Sequence, residues 1–180
     1  MFLNKIKVFS ANSIFIILIF LICNVVKSQE IKIIEGNALV TDGDSIKIDN
    51  KKIRLLGIDA PELRQLCFKD TIDAVNVSYM CGEISKQKLQ NYISGKKIVC
   101  EYTNLDRYKR ILGLCKFSCV LGDADCAKFS LNKYMVRSGN ALAYKKYSKK
   151  YLEDQEWAQN NKLGIWAGEF EEPENWRKNN

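Results

Sequence analysis

Between Ile31 and Ile58 the chain carries three short stretches of alternating apolar and polar residues, divided by turn-forming groups. No other feature restricts the fold as strongly, because a period of two puts one face of a strand on a core and the other toward water. Ile31 to Thr41 reads as a strand interrupted at Gly36, where a bulge is expected. Asp42-Gly43-Asp44 is a turn, Ser45 to Ile48 a second strand, and Asp49-Asn50-Lys51 a hairpin turn. Ile53 to Ile58 is a third strand, ending at Asp59-Ala60-Pro61-Glu62. Three short strands in a meander point to a small barrel or sandwich.

The remainder adds helices to that plan. A loop from Leu63 to Met80 leads into a helix from about Gly82 to Ile93, with an apolar face of Ile84, Leu89, Tyr92 and Ile93 and a stop at Gly95. Lys97 to Tyr102 and Ile111 to Phe117 read as a strand pair around a turn at Asp106 to Arg110. Leu131, Tyr134 and Met135 mark a second helix from Ser130 to Arg137, closed by Gly139, and a third covers Lys149 to Asn161. The tail carries Phe170, Pro173 and Trp176, expected to pack back on the body. Five strands with three α-helices give an α+β fold of the OB-type barrel kind.

The N-terminus has the marks of an export signal. Lys5 and Lys7 precede an unbroken apolar run from Ile14 to Cys23, and Val26 and Ser28 stand at −3 and −1 of a cleavage site. The run is short for a membrane span. A lipid anchor on Cys23 would want a small residue where Ile22 stands, so cleavage after Ser28 is the expectation. That leaves residues 29–180 as a single domain, exported to a periplasm or secreted. The leader contains Lys5, Lys7, Lys27 and no acid, so the mature chain keeps 25 basic and 21 acidic side chains. A surplus of four admits a polyanionic partner without requiring one.

Six cysteines remain: Cys67, Cys81, Cys100, Cys115, Cys119 and Cys126. An even number behind an export signal suggests three disulfides; zinc is the competing use, but there is no C-x-x-C pair and no histidine. Cys100 and Cys115 lie on strands expected to be neighbours, Cys67 with Cys81 would tether the long loop to the first helix, and Cys119 with Cys126 follows by elimination. The first two would each contribute about 3 kcal/mol in the chain-entropy model. The absence of histidine also excludes Ser-His-Asp hydrolysis, histidine general bases and His-ligated zinc chemistry. Catalysis here must use carboxylates, Arg, Lys, Tyr or a metal on oxygen ligands.

Four groups could supply it: Asp42-Gly43-Asp44, Arg54, Asp59-Ala60-Pro61-Glu62 and Asp106-Arg107-Tyr108-Lys109-Arg110. Singly each has an ordinary structural explanation: a common turn, a charge paired in a core, a polar loop. Together, T-D-G-D-S at 41–45, I-R-L-L-G-I-D-A-P-E at 53–62, D-R-Y-K-R at 106–110, M-V-R-S-G at 135–139 and K-L-G-I-W at 162–166 resemble the staphylococcal nuclease (thermonuclease) family in order and spacing. The resemblance covers Ile31 to Trp166, and the closing G-x-F-x-x-P-x-x-W-R at 168–177 is similar to its exported, cysteine-bearing bacterial branch.

The resemblance implies roles. Asp44, Asp59 and the main-chain carbonyl of Ala60 would ligate Ca2+, a hard ion suited to oxygen donors, with Asp42 behind them. Glu62 would orient or deprotonate the attacking water, and Arg54 and Arg110 would grip the phosphate oxygens. Arg107 and Tyr108 match positions that contact a terminal phosphate; Tyr144 and Tyr147 are candidates for packing on a nucleoside or for ordinary packing. Lys109 stands where the family usually has Gly, in a turn expected to need φ > 0. Ser45 replaces a Thr, and the Tyr102–Asp106 stretch is shorter than in the best-known member of the family. The implied activity is calcium-dependent endonucleolysis of single-stranded or locally unpaired DNA and RNA, leaving 3′-phosphates, by a monomer without a stable protein partner. The alternatives are a non-catalytic OB-type module that binds nucleic acid or protein, and a disulfide-rich surface protein.

Overall fold

A computed structural model describes residues 29–69, 76–119 and 130–180; the expected leader and Cys126 lie outside the described residues. Its strands are β1 (Lys32–Asn37), β2 (Leu39–Asp42), β3 (Ser45–Ile48), β4 (Lys51–Leu55), β5 (Ile58–Asp59), β6 (Leu66–Lys69), β7 (Val77–Met80), β8 (Lys97–Tyr102), β9 (Ile111–Phe117) and β10 (Leu142–Ala143). The helices are α1 (Cys81–Ile93), α2 (Leu131–Arg137), α3 (Leu152–Asn160) and α4 (Pro173–Asn179), with a 3-10 turn at Gly164–Ala167.

The main sheet runs in the order β1-β8-β9-β4-β3-β2. Its two ends, β1 and β2, are one length of chain interrupted only at Ala38, so five strands curl into an OB-like arrangement with an α+β fold. All pairings are antiparallel except β4 with β9, which is parallel. Inside lie Ile46, Ile48, Ile53, Leu55 and Ile98, all fully buried, each contributing about 1.5–3 kcal/mol through lost apolar exposure.

Gly36 forms no bulge. It pairs with Ile98 in unbroken register, and it is glycine because a Cβ there would lie 2.8 Å from Ile48 Cγ2. The irregularity falls instead between Val40 and Asp42, where β2 meets β3. The hairpin turn between β3 and β4 has Asp49 and Asn50 both at positive φ, 46° and 62°, which suits its right-handed twist and favours Asp and Asn.

The expected third strand is two strands. After Leu55 the chain turns through Gly57 at φ 81°, and β5 leaves the main sheet to pair antiparallel with β10. That break separates Arg54 from Asp59 and lets them face each other. The expected loop 63–80 contains the β6–β7 hairpin. These two strands carry little apolar alternation to betray them. The tail, expected only to pack back on the body, contains a fourth helix, α4, where three were expected. Pro173 at its first turn presets the backbone for helix entry.

Cys67–Cys81 and Cys100–Cys115 are disulfide-bonded, as their placement suggested. The expected Cys119–Cys126 pairing involves a residue outside the described set. No described helix is long and apolar enough to cross a membrane.

Candidate active site

Local geometry explains how the acids and Arg54 meet. The β3–β4 register sets Arg54 opposite Ser45, next to Asp44. Arg54 Nη1 donates to Asp44 Oδ1 at 2.8 Å, and Nη2 donates to Asp59 Oδ1 at 2.6 Å. Asp44 also accepts from Ser45 Oγ at 2.9 Å and from the Ala60 N–H at 3.1 Å. The Ser that stands in for Thr thus supplies the same hydroxyl. Asp44 and Asp59 are 2% and 3% exposed, which makes paired charge and full hydrogen bonding a requirement. Burial lowers Arg54's hold on its proton, but Asp44 and Asp59 outweigh it, and the net direction is upward.

Glu62 follows in a loop pinned from two sides. Its N–H donates to the side chain of fully buried Gln65 at 3.2 Å, and its carbonyl accepts from the Gln65 N–H at 2.7 Å. The first turn of α1 lies against the same backbone: a Cβ on Gly82 would collide with the Glu62 carbonyl. Asp42 accepts from the Gly43 N–H at 2.7 Å. Its carboxyl is pushed up to about 7, first by burial and then by the charge of Asp44.

The Asp106–Arg110 loop lines the same cleft as Arg54 and Glu62. Asp106 accepts from the main chain of Tyr108 and Arg110, both at 2.9 Å, and from Arg110 Nε at 2.7 Å. Burial opposes ionisation, yet the Arg110 and Tyr108 bonds prevail and lower its pKa. Lys109 sits at φ 63°, so the turn does use the left-handed region. The Arg107 and Arg110 guanidiniums lie 4.8 and 5.5 Å from the Tyr108 ring centre, within cation–π range.

One cleft of about 850 Å³ joins these parts. Asp42, Arg54, Glu62, Arg107, Tyr108, Arg110, Tyr144 and Tyr147 all line it, while Asp44, Asp59 and Ala60 lie beneath its floor. Tyr144 and Tyr147 meet edge to face, 4.8 Å between centres, and Tyr147 and Tyr108 are 62% and 64% exposed. Every side chain singled out from the sequence for chemistry or substrate is therefore in one place.

Sequence reasoning missed Arg177. From α4 it donates to Asp59 Oδ1 at 3.0 Å, to Asp59 Oδ2 at 2.8 Å and to Glu62 Oε1 at 2.8 Å. The closing P-x-x-W-R at 173–177 held the signal, but nothing local ties it to acids more than 100 residues away. Gln65, whose Nε2 donates to the Glu171 carbonyl at 2.6 Å, was missed for the same reason.

The charges bear on a cation. Among the described residues, Asp42, Asp44, Asp59 and Glu62 are matched by only Arg54 and Arg177. Burial also raises the pKa of Asp59. Acids buried in excess of their guanidiniums suit a hard divalent ion on oxygen donors. Among the described residues no group of three or more Cys, Asp or Glu gathers around one point. The set expected from the sequence, Asp44 and Asp59 with the Ala60 carbonyl, contains only two such side chains.

Fold and site together define a small OB-like domain with a carboxylate–guanidinium cluster at the floor of a cationic, aromatic cleft, equipment for phosphodiesters. The chain belongs to the staphylococcal nuclease family: residues 52–168 match the family described as staphylococcal nuclease homologue. It is 33% identical over 138 residues to the succinoglycan biosynthesis protein ExoI of Rhizobium meliloti, covering 76% of this chain and 66% of that protein. An uncharacterized endonuclease of Haemophilus influenzae is 32% identical over 147 residues, 77% and 70% of the two chains. A micrococcal nuclease of Shigella flexneri is 26% identical over 148 residues, 77% of each.

Proposed function

We propose that this chain is an exported, calcium-dependent endonuclease that hydrolyses DNA and RNA with little sequence selectivity, leaving 3′-phosphates. The observation that carries the reading is convergence. Asp44, Arg54, Asp59 and Glu62 meet at the floor of the same cleft that Arg107, Tyr108, Arg110, Tyr144 and Tyr147 line. Disulfides at Cys67–Cys81 and Cys100–Cys115 support an oxidising destination.

Asp44, Asp59 and the Ala60 carbonyl would hold the Ca2+. Bound there, it supplies Lewis-acid polarisation of the phosphoryl group. The chain's own groups account for the rest. Glu62, at the cleft wall, orients a water and accepts its proton as the water oxygen bonds to phosphorus. Negative charge grows on the non-bridging oxygens, where the Arg54 and Arg110 forks meet it. The P–O5′ bond breaks, and the departing oxygen takes a proton from solvent to become a 5′-hydroxyl, while Glu62 returns its proton to solvent. Tyr108 and the Tyr144–Tyr147 pair offer ring faces on which any base can stack, so backbone charge and stacking replace base readout.

The test is digestion of single-stranded DNA by the oxidised protein in Ca2+ and then in EGTA. Calcium-dependent cutting with 3′-phosphate ends is expected, and Glu62→Ala should fold but barely cut. Cutting that survives chelation, or in Glu62→Ala at the wild-type rate, would overturn the mechanism and leave the fold untouched.

A further inference from the structure

The tail is fixed to the body up to one point and only lightly beyond it. Glu169 and Phe68 exchange main-chain hydrogen bonds at 2.8 and 2.9 Å, Phe170 packs edge to face on Trp166, and Gln65 holds the Glu171 carbonyl. In α4 itself only Pro173 is buried. A seven-residue helix has little stability of its own, so its position depends on what its side chains grip. On the body that grip is Arg177 on Asp59 and Glu62; Asn179 reaches only Glu171 of the tail itself.

Both oxygens of Asp59 accept from Arg177, and Oδ1 accepts from Arg54 as well. Asp44 spends its two oxygens on Arg54, Ser45 and the Ala60 N–H, all inside the fold. Arg177 alone among these partners comes from the exposed side, with its side chain 33% accessible. It is also the partner whose anchorage can yield without disturbing the sheet.

We propose that Arg177 is a latch: its guanidinium and the divalent cation exclude one another at Asp59, and release of Arg177 undocks α4 from the cleft. The idea rests on the calcium reading above. Competition of this kind is reciprocal, so whatever affinity the cation loses to the latch, the tail loses to the cation. It also gives Glu62 two states, held by Arg177 or free toward the cleft. Undocking would clear Lys178 and Glu174, which line the same cleft, from the path of a polynucleotide.

The experiment is a Ca2+ titration by calorimetry of the oxidised wild type, Arg177→Gln and Lys178→Gln, with amide hydrogen exchange of residues 173–179 with and without saturating Ca2+. Lys178→Gln removes the same charge from the same cleft, but Lys178 pairs with Glu174 and not with the acids at the floor. Expected are roughly tenfold tighter Ca2+ binding by Arg177→Gln, a change within about twofold for Lys178→Gln, and faster exchange in α4 when Ca2+ saturates the wild type. Equal affinity of Arg177→Gln and wild type, equal tightening by the two variants, or unaltered exchange in α4 would each overturn the latch. Absence of binding heat in both wild type and Arg177→Gln would instead remove the calcium site, and the latch with it.

Discussion

Arg54 donates to Asp59 at 2.6 Å across the bend at Leu56–Gly57, and its other terminal nitrogen holds Asp44. The pair lets two nearly buried carboxylates share one strand end, and the same guanidinium lines the cleft. Arg54→Ala should therefore lose both structure and chemistry. In EGTA, urea unfolding should show a loss of about 3 kcal/mol, the cost of stranding buried charge. Cutting of single-stranded DNA should fall by about 10²–10³. Arg54→Lys keeps the charge but not the fork, and should recover much of the stability and little of the rate. Full activity in Arg54→Lys would show that the fork is not needed.

Lys109 carries the second prediction. Its φ of 63° closes the turn that places Arg110, while Asp106 caps the main chain of Tyr108 and Arg110. A side chain with a Cβ is strained in the left-handed region by roughly 1 kcal/mol. Lys109→Gly should raise the unfolding free energy, by no more than about 0.5 kcal/mol once the roughly 0.4–1 kcal/mol of extra freedom of unfolded glycine is subtracted. Lys109→Val, branched at Cβ, should lower it. A Gly variant less stable than wild type would mean that Lys109 has a stabilising role its backbone does not reveal.

Both of these sites were readable in the sequence. The Arg54 cluster was legible because the motifs at 41–45 and 53–62 together resemble the family in order and spacing. The Asp106–Arg110 turn was legible as a turn from the apolar strands on either side, and as part of the site through the resemblance of D-R-Y-K-R at 106–110. Arg177 and Gln65 were not, since their partners are brought by tertiary packing that no local pattern encodes. The bulge was misplaced for a related reason. Gly36 looks like an interruption in sequence, but its missing Cβ answers to Ile48 on a neighbouring strand. The β6–β7 hairpin escaped because Leu66, Phe68, Val77 and Met80 are exposed rather than core-facing, which leaves no two-residue burial rhythm to detect.

Tyr151 makes the alkaline limit of stability predictable. It is 3% exposed, and burial raises its hydroxyl from an ordinary 10.0 to about 12, with a Ser130 hydrogen bond acting in the other direction. The folded protein thus keeps this proton at pH values where the unfolded chain has lost it. Stability from the group is complete below about pH 10 and is lost as pH rises from 10 toward 12. The full loss is on the order of 2–3 kcal/mol. Tyr151→Phe has nothing to ionise, so its stability should decline less over that window in urea unfolding from pH 9 to 11. Parallel curves for the two proteins would rule Tyr151 out as the source.

The last prediction separates two disulfides that look alike as staples. Cys100 and Cys115 face each other in the register of β8 and β9, inside the main core and away from the cleft. Cys67–Cys81 instead joins β6 to the first residue of α1, and the next residue, Gly82, lies against the Glu62 carbonyl. Both close loops of similar length, with separations of 14 and 15 residues, so each double-Ala variant should lose about 3 kcal/mol on unfolding. Their kinetics should diverge. With both variants kept well below their unfolding midpoints, Cys100→Ala/Cys115→Ala should retain wild-type kcat. Cys67→Ala/Cys81→Ala should lose kcat by about tenfold or more, because small displacements of a positioned group are costly to rate. Wild-type turnover in the second variant would show that Gln65 and α1 hold the Glu62 loop without help from the bridge.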